Sequence, residues 1–65
     1  MKPTQYVIVG DNNFWYSTPV VNNQDELNLC VQEVIGGIQS GVVFGDNTAT
    51  ELFVYEATLV NTVKT

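Results

Sequence analysis

The chain has no histidine and no arginine, one cysteine, and two lysines at its extreme ends, Lys2 and Lys64. Without histidine, the usual serine and cysteine nucleophiles have no base to stand beside them. A zinc site would have to be built on a single thiolate, which ordinary zinc coordination does not support. Cys30 has no second cysteine to pair with, so no disulfide can close within the monomer. No apolar run approaches the roughly 18 residues that span a bilayer, and the start lacks the basic-then-apolar layout of a secretory signal. The expected setting is therefore cytoplasmic and away from membranes, where a lone thiol is also easier to keep reduced.

What remains is acid, apolar residues and turns. Asp11, Asp25, Glu26, Glu33, Asp46, Glu51 and Glu56 give a formal net charge of -5, and from Pro3 to Val63 no cation opposes them. Such a surface repels nucleic acid and anionic lipid. A protein partner should be neutral or basic where the two meet, because opposite potentials speed encounter. Hydrophobic residues make up 45% and charged residues 14% of the chain, too apolar a balance for intrinsic disorder. Sixty-five residues form one domain, 1–65, with about 3–5 kcal/mol of net stability to expect, and chains this short often gain the rest by self-association, here a dimer.

Tyr6-Val7-Ile8-Val9 has strand composition, and Gly10-Asp11-Asn12-Asn13 breaks it. Phe14 to Thr18 resumes the pattern, so a hairpin is expected in which Gly10 or an asparagine takes a positive φ. Pro19 marks the second strand as an edge. Asn23 precedes Glu26 by three residues, the spacing of a capping box, and places the start of a helix near Gln24. Leu27, Cys30, Val31, Val34, Ile35 and Ile38 then form one apolar stripe, which makes Cys30 a core residue. Gly36 and Gly37 are poor helix formers, so the helix is expected to fray or end between Ile35 and Gly41, with Ser40-Gly41 closing the segment.

Val42 to Phe44 is a short strand candidate. Gly45-Asp46-Asn47 repeats the turn chemistry of Gly10-Asp11-Asn12, which hints at a second hairpin. From Glu51 to Val63 both faces are partly apolar and β-branched residues abound, which predicts a long central strand; a helix capped at Thr48 is the competing reading. The expected fold is α+β, ββαβ or ββαββ, an antiparallel sheet carrying one helix on one face. One helix cannot cover both faces of a sheet, so some of Tyr6, Trp15, Tyr16, Phe53 and Tyr55 must look away from it.

No motif carries a recognisable reaction, so no catalytic, cofactor or metal residue is assigned and the chain is read as non-enzymatic. Asp11 to Asn13 and Asp46 to Asn47 offer oxygen ligands, but the spacing of a calcium loop is absent and turn formation accounts for both. Alternation sends Trp15 to the face opposite Phe14 and Tyr16, and tryptophan and tyrosine are the commonest binding anchors. The candidate binding set is Asp11, Phe14, Trp15, Tyr16, Tyr55 and Glu56.

The layout of Tyr6 to Gly10, Phe14 to Thr18, an acid-started helix and a terminal Val54-Tyr55-Glu56-Ala57-Thr58-Leu59-Val60 strand resembles small acidic accessory proteins of tailed bacteriophages. That resemblance implies a modulator or inhibitor of a host protein, acting in the host cytoplasm. Two other functions compete with a binding module: a structural homo-oligomer packed sheet to sheet, and a small-ligand or enzymatic site formed between subunits.

Overall fold

The structure, a computed structural model, describes residues 3–65. Its elements run β1 (Thr4–Gly10), β2 (Trp15–Ser17), β3 (Val20–Val21), α1 (Gln24–Ser40) and β4 (Leu52–Glu56). The fold is α+β: one helix packed on an open antiparallel sheet. β1 lies at the centre. β2 and β3 share one of its edges, with Ile8 opposite Ser17 and Gln5 opposite Val20, and β4 takes the other, from Tyr6 opposite Glu56 to Gly10 opposite Leu52.

The expected second strand, Phe14 to Thr18, is present as an edge over Trp15–Ser17, and beyond Pro19 a further short strand, Val20–Val21, appears that was not expected. Pro19 lacks an amide hydrogen, so the strand cannot continue through it unaltered. Its carbonyl still accepts from the Tyr6 N–H at 2.8 Å, and the Gln5 carboxamide donates to the carbonyls of Thr18 at 2.7 Å and Pro19 at 3.1 Å. These bonds hold the interruption against β1, and the chain resumes pairing as β3. A β-bulge between Ile8 and Val9 adds one residue on the β2 side.

Asn23 caps α1 as its spacing predicts, its side chain accepting from the Glu26 N–H at 2.9 Å. The reciprocal arm is displaced by one residue: the Glu26 carboxylate accepts from the Asn22 N–H at 2.8 Å. The helix ends at the Ser40-Gly41 pair, as expected, and runs through Gly36 and Gly37 without a break. It stops at Gly41, whose φ of 71° is the left-handed conformation typical of helix ends. A Cβ at position 37 would lie 2.6 Å from Phe44 Cε2, so Gly37 serves packing, giving the Phe44 ring access to the helix.

The core forms where α1 meets the sheet. Ile8 is fully buried, with Tyr16 and Val34 around it and Phe14, Cys30, Val31, Ile38, Phe44, Ala49 and Leu52 packed at the margin. Burying one side chain of this size stabilises by about 1.5–3 kcal/mol, much of the stability expected of so small a domain. The predicted stripe therefore packs as expected, Cys30 included.

Two expectations are corrected. Val42 to Phe44 is not a strand; the segment is a series of bends that delivers the Phe44 ring to the core, so no second hairpin forms. β4 is neither long nor central. It ends at Glu56 because β1 has nearly run out: the Ala57 N–H donates to the Gln5 carbonyl at 2.8 Å, and only Thr4 of β1 lies beyond. The competing helix does not start at Thr48, and the preferred strand reading of this segment holds over Leu52–Glu56.

The two helical glycines make opposite predictions. Position 36 has open space around it, so Gly36→Ala should stabilise by about 0.5–1 kcal/mol through helix propensity. Gly37→Ala should instead destabilise by about 1–3 kcal/mol as the Phe44 ring is displaced. Urea denaturation of the two variants checks both signs.

Candidate functional site

Strand register divides the side chains between two faces. Ile8 lies under the helix, and its direct neighbours Val54 on β4 and Ser17 on β2 share that face. Val7 and Val9 point the other way, and with them Tyr55 opposite Val7, and Phe53 and Trp15 on either side of Val9. Gln5 and Val20 extend the same face towards β3. Nothing among the described residues covers it: Trp15 is 65% exposed, Tyr55 57% and Phe53 41%. Within this field no side chain carries charge. The amide of Gln5 is turned to the backbone carbonyls around Pro19, which leaves the face more apolar than its composition suggests.

The six candidate residues do not converge on one place. Trp15 and Tyr55 belong to the open face. Phe14 and Tyr16 belong to the helix side, as alternation predicted, where they form an edge-to-face cluster with Phe44; the Tyr16 ring centroid lies 4.8 Å from that of Phe14 and 4.9 Å from that of Phe44. The Tyr16 hydroxyl donates to the Asn47 carbonyl at 2.9 Å and accepts from Asn12 Nδ2 at 3.1 Å. It thereby ties the first turn to the segment before β4. Glu56, opposite Tyr6, lies on the helix side at the far end of β4. Phe53 was not among the candidates, although it shares the parity of Tyr55 and that was signal enough to include it.

Asp11 stands at the rim. Its carboxylate accepts from the backbone N–H of Thr50 at 3.1 Å and from the Thr50 hydroxyl, and its own N–H donates to the Glu51 carbonyl at 3.0 Å. The Thr50 hydroxyl, with help from backbone N–H groups, holds the Asp11 carboxyl below the ordinary aspartate value of 3.8, against a smaller opposing effect of desolvation. The turn itself is closed by Asn13, whose φ is 65°, while Gly10 makes room: a Cβ there would meet Asn12, Ala49 at 2.6 Å and Tyr16 at 2.7 Å.

Two shallow hollows flank the helix. One, of about 270 Å³, is lined by Ile35, Ile38, Gln39, Ala49, Thr50 and Leu52; the other, of about 250 Å³, has Cys30 and Glu33 in its wall. Neither brings two carboxylates together. Among the described residues, no group of three or more histidine, cysteine, aspartate or glutamate side chains gathers to hold a metal ion, and no helix is long and apolar enough to cross a membrane. Comparison with protein-family models, curated proteins and solved structures finds no match for the chain.

The Asp11–Thr50 clamp makes stability depend on acid. A carboxyl whose value is lowered by folding stabilises the native state above its unfolded value, and that contribution disappears as pH falls through the lowered one. Asp11→Asn should therefore be less stable than wild type at neutral pH and should lose less stability below about pH 4. Thermal melts of both proteins across the acid range check the narrowing gap.

Proposed function

We propose that this protein is a non-enzymatic binding module that docks another protein on its open sheet face. The observation that carries the reading is the uncharged field of Trp15, Val9, Phe53, Val7 and Tyr55, with its large aromatics left in solvent. Soluble monomers rarely leave contiguous apolar patches of this kind unoccupied, and aromatic anchors dominate the energetics of protein interfaces. Asp11 and Glu51 face each other across the strands at one end of the field. A partner with an apolar centre and a neutral or basic rim fits that arrangement, whereas nucleic acid and anionic membrane do not. The resemblance in layout to tailed-phage accessory proteins suggests a host protein as the partner, met in the host cytoplasm.

Trp15 and Tyr55 are largely in solvent, so replacing them should change stability by less than about 1 kcal/mol each and leave the fold intact. Affinity capture with wild type and with the Trp15→Ala/Tyr55→Ala double variant, at low and moderate salt, is the direct test. A partner held by wild type should be lost with the double variant and weakened by salt. Identical retention by both proteins would move the binding site off this face.

A further inference from the structure

β4 presents an unused edge. The Ala57 N–H and the Glu51 carbonyl bond to β1, so odd-numbered residues direct their backbone groups inward, to the sheet. Those of Leu52, Val54 and Glu56 point outward, along an edge that no other strand among the described residues takes. Beyond Glu56, the sequence Ala57-Thr58-Leu59-Val60-Asn61-Thr62-Val63 keeps its β-branched, alternating character. Yet 57–65 has no regular structure, and Val60 is 95% exposed. The reason is the shortage of β1 residues to pair with, and it does not apply to pairing with another chain. A strand with an unpaired edge and no proline or lysine along it until Lys64 is a template for such pairing.

We propose that two copies of this chain join edge to edge through antiparallel pairing of residues 56–64 about a two-fold axis at Val60. Charge selects the register. Lys64 is the one cation of the described residues, and centring the pair on Val60 sets it opposite Glu56 of the second copy, twice in each dimer. The same register sets Thr58 opposite Thr62, Ala57 opposite Val63 and Val60 opposite itself. A register centred on Glu56 would instead oppose like charges. Glu51 cannot replace Glu56, because its outward parity is wrong: even-numbered residues share the free edge and must meet one another.

An axis through Val60 perpendicular to the sheet keeps each face on its own side. Both helices then lie on one side of a continuous sheet, and both fields of Trp15, Phe53 and Tyr55 lie on the other, with Leu59 and Val63 added between them by the alternation of the extended strand. This dimer leaves the open faces free, unlike sheet-to-sheet packing, and it does not depend on what those faces bind. A partner carrying two sites would meet a bivalent surface.

Light scattering of the full chain over a concentration series should show the mass doubling. Val60→Pro removes an outward N–H at the centre of the pairing and should give a monomer whose far-ultraviolet spectrum keeps the helix signal and loses only the strand contribution of residues 57–64. Asn61→Pro, at the inward parity, should still dimerise. Lys64→Glu should weaken association by at least about tenfold at low salt, and Glu56→Lys combined with Lys64→Glu should restore it. Trp15→Ala should leave the dimer intact. A monomer throughout, up to about 1 mM, would overturn the proposal. So would a dimer that survives both Val60→Pro and Lys64→Glu, or one lost with Trp15→Ala, which would place the contact on the aromatic face.

Discussion

Among the described residues β1 is the only strand paired along both edges, and the rest of the molecule is arranged by what those edges accept. Its even-numbered residues bond to the β2 and β3 side, as in the Tyr6 N–H to the Pro19 carbonyl, and its odd-numbered residues to β4, as in the Gln5 carbonyl from Ala57. Both neighbouring strands must therefore fit within the seven residues from Thr4 to Gly10. The second strand meets this limit with a bulge and a break at Pro19, and β4 meets it by stopping at Glu56. Ile8, one residue past the middle of β1, is consequently the residue that strands and helix enclose together.

A single helix gives this sheet two unlike faces. Leu27 and Val34 of α1 are buried, and Tyr16, Phe14 and Phe44 close the core with edge-to-face contacts instead of a second layer. Polar groups near that core are used to join distant segments: the Tyr16 hydroxyl to Asn47, and the Asp11 carboxylate to Thr50. On the other face the aromatics have no such partners. Burial of apolar area is the main stabilising term available to a domain of this size. An exposed Trp15, Phe53 and Tyr55 thus represent stabilisation still available to association, and they give the open face its place in the proposed function.

Local signals read correctly wherever the physics was local. The Asn23 cap depends on a spacing of three residues, the apolar stripe from Leu27 to Ile38 on helical period, and the separation of Trp15 from Tyr16 on strand alternation. All three follow from neighbours in sequence. The misreadings concern pairing at a distance. Glu51 to Val63 has the composition of a long central strand, but strand length is set by the partner, and β1 offers Ala57 its last confirmed bond. Val42 to Phe44 has strand composition too, yet the Phe44 ring gains more by packing on Tyr16 beside Gly37 than the segment could gain without a neighbouring strand.

The fold class, the helix with its cap and buried stripe, the hairpin turn, and the uneven charge that leaves one lysine near each end all follow from the order of the residues. That order also requires that some aromatics face away from the helix, because one helix covers one face. Which of them do so depends on strand pairing, since register with β1 assigns Trp15, Phe53 and Tyr55 to the open side and Tyr16 to the core. The same register made β4 an edge and left 58–65 without a strand partner among the described residues, because hydrogen-bonding groups on a strand are satisfied by whatever lies beside it, and composition does not say what that is.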